Sequence, residues 1–234
     1  MPFWINFIVA LTAFGVSAIT GKFLIPLLKK LHFGQTIYED GPKWHKDKQG
    51  TPMMGGFMFI IGTTVALAVG YAIYRFKSAD ATVIPDNTGL YRLLAGFAYA
   101  LLNAGIGFID DYTKAVKKQN LGLKAKQKMV MQFTISAAFL AALYLLGDTS
   151  TKITFPFFGD IDFGIFYYVI MILYLVFLTN AVNLTDGIDG LCSSVTLVVG
   201  VFFTAAAYLT GLAEPDGSLL VLGAAVIGGC AGFL

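Results

Sequence analysis

Two short acidic segments and two lysine-bearing segments hold the residues whose types and spacing can do chemistry. Asp110 and Asp111 stand side by side in Gly107-Phe108-Ile109-Asp110-Asp111-Tyr112, directly after an uncharged apolar stretch. Adjacent carboxylates repel, so a divalent cation or nearby lysines must compensate them. Lys114 lies one helical turn beyond Asp110, and Lys117 and Lys118 continue on that side of a helix. A solvated helix end with local ion pairs is the plainer reading, but an acidic pair at the edge of hydrocarbon has little structural use. The second acidic segment reads Asn180-Ala181-Val182-Asn183-Leu184-Thr185-Asp186-Gly187-Ile188-Asp189-Gly190. Asn180, Asn183, Asp186 and Asp189 recur at every third residue, so on a helix they share a slowly drifting face. Gly187 and Gly190 let the backbone approach a ligand closely. Carboxylate and carboxamide oxygens of this kind suit Mg²⁺ and a nucleotide.

The lysine-bearing segments flank these. One runs Gly41-Pro42-Lys43-Trp44-His45-Lys46-Asp47-Lys48-Gln49-Gly50-Thr51-Pro52. Its Gly-Pro and Thr-Pro steps make it a shaped loop and not a helix. Taken singly, each lysine there is accounted for by membrane orientation, and the lone His45 is weak evidence for a base or a ligand. The other segment holds Lys114, Lys117, Lys118, Lys124, Lys126 and Lys128. Carboxylates to hold a divalent cation, with lysines to neutralise a pyrophosphate, are the equipment of phosphoryl transfer, in which positioning and charge neutralisation do most of the work.

The elements that position these residues follow from hydropathy. The chain is 57% apolar and 13% charged, with a mean hydropathy of +0.74. A water-soluble domain needs more charge to cover its surface, so the bilayer is the expected solvent. A spanning helix needs about 20 largely apolar residues. Uncharged stretches of that order run over 3–21, 53–74, 93–109, 129–147, 163–185 and 190–213, and a seventh begins at 217 and is still apolar at Leu234. The expected fold is therefore an all-α polytopic membrane protein of about seven transmembrane helices, one integral membrane domain over 1–234. With no closing anchor on the last stretch, it is expected to be C-terminally incomplete. The N-terminus has neither a basic leader nor a small-residue cleavage site, so it is expected to be a retained first span.

Lysine and arginine set the orientation. The loops carrying Lys29, Lys30, Lys43, Lys46 and Lys48, and Lys114 to Lys128, are the basic ones; the loop with Arg75, Lys77 and Arg92 and the loop with Lys152 are not. The N-terminus is thereby expected outside, with the first, third and fifth loops inside. Aromatic, strand-like residues around Gly159-Asp160 predict a small external β-hairpin near 152–164. Cys192 and Cys230 both lie in apolar stretches, which implies neither a disulfide framework nor a thiolate metal site. The 26 glycines suit close packing between membrane helices.

At these motifs the chain resembles a known family. Gly50-Thr51-Pro52 with Met54-Gly55-Gly56, Phe108-Ile109-Asp110-Asp111-Tyr112, Gly122-Leu123 through Lys128 ahead of Gln132, and Asn180 through Gly190 are similar to the polyprenyl-phosphate hexosamine phosphate transferases. The wording Asn-Ala-Val-Asn-Leu-Thr-Asp-Gly resembles the peptidoglycan branch, the phospho-N-acetylmuramoyl-pentapeptide transferases. The resemblance covers nearly the whole chain. It implies UDP-N-acetylmuramoyl-pentapeptide and undecaprenyl phosphate as substrates, lipid I and UMP as products, Mg²⁺ as cofactor, and the bacterial inner membrane as location, with the active site cytoplasmic. Asp110, Asp111 and Asp186 would be the catalytic and metal-binding carboxylates. Lys48 matches a loop lysine reaching the nucleotide, and Lys114, Lys118 and Lys126 match basic residues near the phosphates. Asn180, Asn183, Gly187, Ile188 and Asp189 match residues lining the nucleotide cleft. Membrane lipid is the surrounding partner, a homodimer is admitted, and no nucleic acid partner is expected.

Met53 departs from the threonine usual in the family. The family's full chain has ten spans, whose later helices carry a further acidic metal ligand and a histidine-rich inner loop. The resemblance therefore implies a further ligand beyond residue 234, and a chain that is inactive alone. Other readings are a sister enzyme using another UDP-N-acetylhexosamine, a transporter, and a non-catalytic membrane subunit. A transporter places ionisable groups near the bilayer midplane, whereas here they sit at span ends. A passive subunit leaves both acidic clusters unexplained.

Overall fold

The computed structural model describes residues 3–31, 52–77, 88–117, 122–210 and 217–234. Among them are seven α-helices and one two-stranded sheet. In chain order these are α1 (Phe3–Lys30), α2 (Gly56–Lys77), α3 (Thr88–Lys117), α4 (Ala125–Leu145), β1 (Lys152–Phe155), β2 (Gly159–Asp162), α5 (Phe166–Thr185), α6 (Leu191–Thr210) and α7 (Ser218–Phe233). The first six helices are long and apolar enough to cross a membrane, while the apolar α7 runs 16 residues. The hairpin expected near 152–164 is present, antiparallel, with Lys152 opposite Asp162 and Phe155 opposite Gly159. The first lysine loop, including His45 and Lys48, lies outside the described residues, as does Lys118.

Within lipid a backbone can satisfy its hydrogen bonds only internally, which is why apolar runs of this length become helices. Several threonine hydroxyls do the same. Thr12 donates to the Ile8 carbonyl at 2.8 Å, Thr113 to that of Ile109 at 2.7 Å and Thr204 to that of Gly200 at 2.7 Å. α1 ends on Lys29 and Lys30, cations placed where the helix dipole is negative.

Lipid tails are as apolar as leucine, so helices associate through close packing and not through water exclusion. α1, α2 and α7 pack together, and α7 also rests on α6. Their seam is Ile5, Val9 and Ala13 of α1, Ala66 and Leu67 of α2, and Val221, Ala224 and Ala225 of α7. Glycines let the backbones meet. A Cβ on Gly62 would stand 2.8 Å from the Ala13 carbonyl oxygen. Cβ atoms on Gly228 and Gly232, one helical turn apart, would collide with the carbonyls of Ala10 and Phe14 on α1. A second group forms where α3 packs on α4 and α4 on α5, and it joins the first through contacts of α3 with α7 and α5 with α6.

Cross-contacts show which helix ends share a level. Phe57 at the start of α2 meets Phe108 near the end of α3, their ring centroids 5.5 Å apart. Lys128 at the start of α4 meets Asn183 at the end of α5. A Cβ on Gly190, just before α6, would touch Leu234 after α7. At the opposite end Arg92 of α3 pairs with Asp148 beyond α4. Consecutive helices thus alternate, and the turns before α2, after α3 and before α6 lie at one end of the bundle.

Gly232→Leu is expected to open the α1–α7 seam and lower stability by about 1–3 kcal/mol, the usual cost of overpacking. Gly105→Ala, where a Cβ meets nothing within 4 Å, is expected to be neutral or to stabilise by up to about 1 kcal/mol. Thermal unfolding midpoints of the two variants in one detergent give the comparison.

Candidate active site at one rim of the bundle

α3 carries its charges where its apolar run stops. Asp110 and Lys114 are four residues apart and therefore on one face, and their Oδ2 and Nζ atoms are 2.6 Å apart. The same ammonium reaches Asp111 Oδ1 at 3.4 Å, so one lysine bridges both members of the acidic pair. The other oxygen of Asp110, Oδ1, accepts the backbone N–H of Leu123 at 2.8 Å. That bond ties the loop entering α4 back onto α3. It also explains Gly122: a Cβ there would collide with the Asp110 carboxylate and stand 2.8 Å from its backbone oxygen.

α4 begins with a one-sided cap supplied by the third residue of its first turn. The Gln127 Oε1 accepts the Lys124 N–H at 3.1 Å. Lys128, on the next turn, donates to Asn183 Oδ1 at 3.1 Å, and its charge also acts on Asp110. One turn deeper, Gln132 is 1% exposed, and its Oε1 accepts from Asn180 Nδ2 at 2.8 Å. Asn180 also donates to the Val176 carbonyl at 2.8 Å. Deeper still, the Tyr99 hydroxyl lies between Ser136 at 3.5 Å and Thr179 at 3.4 Å. The result is a polar seam running down α4 and α5.

The helical face expected for the second acidic segment holds only in part. Asn180 and Asn183 are helical, but α5 ends at Thr185 and Asp186 is its C-cap, with φ −79° and ψ 53°. Asp189 falls in the turn before α6, which closes on Gly190 at φ +79°. Left-handed backbone at Gly190 and the Gly187 amide bonded to the Thr185 carbonyl at 2.9 Å break the helical register that the spacing implied. Asp186 nonetheless comes to the acidic pair: its negative charge acts on Asp111. Ile188 is exposed in the same turn, and Lys126 is exposed on the first turn of α4.

The rim therefore gathers Asp110, Asp111, Lys114, Lys128, Asn183 and Asp186 from α3, α4, the end of α5 and the α5–α6 turn. Lys128 and Gln132 were not among the candidate site residues, although a lysine and a glutamine four apart on α4 do face two asparagines three apart on α5. The two aspartates of the pair differ. Asp110 has both oxygens engaged and serves as a structural tie. Among the described residues Asp111 meets the longer arm of Lys114, and the negative charge of Asp186 acts on it. Oxygen donors of this type are right for a hard cation. Among the described residues, however, no three His, Cys, Asp or Glu side chains gather closely enough to hold one. These residues alone do not complete a cation site.

Asp110→Ala is expected to release the loop before α4. A hydrogen bond to a charged acceptor is worth about 1.5–3 kcal/mol, and partial solvation of Asp110 puts the loss at the lower end. Asp110→Asn, which keeps an acceptor for the Leu123 amide, is expected to lose less in the same thermal unfolding assay. Gln132→Leu is expected to lower stability by about 0.6–2 kcal/mol, the range for hydrogen bonds between membrane helices, with thermal unfolding again the measure.

Residues 93–234 match the model of glycosyl transferase family 4, a stretch that contains every element of this rim. The chain is also similar to proteins named phospho-N-acetylmuramoyl-pentapeptide-transferase. It is 42% identical over 228 residues to the protein from Clostridium kluyveri, covering 96% of this chain and 65% of that one. For Clostridioides difficile the figures are 40% over 227 residues, 96% and 64%. For Clostridium botulinum strain Alaska E43 they are 40% over 220 residues, 93% and 62%. The chain thus spans less than two thirds of the length of these relatives. With most of its residues under the family model, and the acidic rim inside them, the chain belongs to glycosyl transferase family 4.

Proposed function

We propose that the protein containing this chain transfers phospho-N-acetylmuramoyl-pentapeptide from its UDP-activated form to undecaprenyl phosphate, giving lipid I and UMP. The observation that carries this reading is the convergence at one membrane rim of Asp111, Asp186 and Asn183 with Lys114 and Lys128. A lipid phosphate has its head at that depth, and a soluble nucleotide reaches it from the water side. The similarity to transferases of that name supports the choice of sugar.

The attacking oxygen belongs to the lipid phosphate, and it forms a bond to the phosphorus that carries the sugar. The bond from that phosphorus to the bridging oxygen breaks, and UMP leaves with the oxygen and the electron pair. A phosphate monoester has its second pKa near 6, so the nucleophile is already largely anionic at neutral pH and needs no strong base. The protein's task is to bring anions together. Lys114 and Lys128 offset the charge that builds on two substrates, acting in a setting less screened than bulk water. Asp111, Asp186, Asp189 and Asn183, with Gly187 and Ile188 beside them, line the nucleotide side. Lys48, Lys118 and Lys126 belong to the phosphate-binding set in this reading.

Mg²⁺ is part of the proposal as the cofactor, with Asp110, Asp111 and Asp186 as its candidate ligands from this chain. Asp110 would have to give up Lys114 or the Leu123 amide to serve. The proposed setting is the bacterial inner membrane, with the N-terminus outside and the rim cytoplasmic.

The test uses the full-length protein in detergent or nanodiscs, with undecaprenyl phosphate and a set of UDP-sugars, following UMP release with and without Mg²⁺. The expected result is Mg²⁺-dependent release with the pentapeptide substrate, and at least about a tenfold loss, or 1.4 kcal/mol of barrier, in Asp111→Asn and in Asp186→Asn. Preference for another UDP-N-acetylhexosamine would reassign the protein to a sister activity. No release from any of them would sink the reading.

A further inference from the structure

The hairpin between α4 and α5 takes no part in the rim, and its register sorts its side chains by polarity. Directly paired residues share a face, and faces alternate along each strand. Lys152 with Asp162 and Thr154 with Asp160 make one face; Ile153 with Ile161 and Phe155 with Gly159 make the other. The polar face is satisfied within itself. Thr151 donates to Asp162 Oδ1 at 2.5 Å, Thr154 to Asp160 Oδ1 at 2.7 Å, and the Gly164 amide to Asp162 Oδ1 at 2.9 Å. The Thr151 hydroxyl and the Gly164 amide hold the Asp162 carboxyl below its usual range, so it stays charged at neutral pH.

The apolar face has no such closure. Phe155 and Ile161 are 38% and 43% exposed, and at the turn Phe157 and Phe158 are 104% and 82% exposed. Phe157 takes φ +71°, a conformation unfavourable for a bulky L residue, and in it the ring stands clear of the strands. Phe163 carries the apolar face onward, its ring 6.3 Å from that of Phe155, toward Phe166 at the start of α5. A two-stranded hairpin is marginal in water even without exposed rings.

Its position names what it meets. It leaves one apolar helix and enters another, at the end of the bundle opposite the acidic rim. Tyr144 in the last turn of α4 and Tyr168 in the first turn of α5 have ring centroids 6.3 Å apart, and Tyr167 lies 5.5 Å from Tyr168. Tyrosines gathered at helix ends mark headgroup depth. The apolar residues of the hairpin fall well short of the roughly 20–30 residues a side that a stable protein interface uses. We infer that the hairpin is an interfacial anchor. Its Ile153–Phe155–Ile161 face and its Phe157-Phe158 tip lie among the lipids at the headgroup–acyl boundary of the leaflet opposite the rim, with Lys152, Thr154, Asp160 and Asp162 turned to water.

The test places a tryptophan reporter on each face of the full-length protein in nanodiscs. Phe157→Trp and Phe158→Trp report the tip, and Thr154→Trp the polar face, each read against the unsubstituted protein with its own Trp4 and Trp44. Quenchers are lipids brominated high on the acyl chain and aqueous iodide. The expected result is tip fluorescence quenched several-fold more by bromolipid than by iodide, with the order reversed for Thr154→Trp. Iodide quenching equal at tip and polar face would overturn the inference. So would protection of the tip from both quenchers, which would mean that another segment of the chain or a second copy covers it. Having two tip reporters guards against one substitution disturbing the turn.

Discussion

Charge cannot stay in hydrocarbon, and that constraint organises this chain. Apart from Lys22 within α1, the long apolar runs of α1 to α6 leave their Asp, Lys and Arg residues toward helix ends, where water or headgroups can reach them. Because consecutive helices alternate in direction, the groups at the end of α3, the start of α4 and the turn between α5 and α6 arrive at the same rim although far apart in sequence. A soluble fold has to build a cleft to bring such groups together. Here the bilayer does the sorting, and helix packing supplies the distances.

Packing works by two different means in the two helix groups. In the α1–α2–α7 group, glycines bring backbones into contact and the seam is made of small and mostly apolar side chains, with Ser17 and Thr63 buried among them. In the α3–α4–α5 group, side-chain hydrogen bonds do the joining: Lys128 to Asn183, Asn180 to Gln132, and Tyr99 between Ser136 and Thr179. Apolar contacts alone would leave α5 free to rotate or slide against α4, since lipid competes equally well for leucine. Directional bonds fix register. The helix so fixed is the one whose C-cap is Asp186, so the polar seam sets where the acidic turn stands relative to Asp111.

Much of this was legible in the sequence, for physical reasons that differ by element. Six apolar runs predicted helices because no other backbone form is satisfied in lipid, and the aromatic alternation near Gly159-Asp160 predicted the hairpin. The nearness of Asp110 to Lys114 followed from helical spacing. The every-third-residue rule at Asn180 to Asp189 went astray after Asn183, since helical period says nothing of where a helix stops. Gly187 and Gly190, noted for close approach to a ligand, were stop signals as well. Gln132 and the glycines at 228 and 232 escaped notice as contact residues because their partners, Asn180 on one side and Ala10 and Phe14 on the other, are set by tertiary packing, which one chain's pattern does not reveal.

Two neighbouring aspartates need not do the same work, and here the backbone makes sure they do not. Successive residues on a helix point about 100° apart, so Asp110 and Asp111 cannot both face the loop before α4. Asp110 takes that loop with one oxygen, through the Leu123 amide, and spends the other on Lys114 of its own helix. Asp111 feels the charge of Asp186, and Lys114 between the pair lets the second carboxylate exist beside the first without full repulsion. An acidic pair on a helix end is thus an economical device: one member secures the loop, and the lysine it holds offsets the charge of the other.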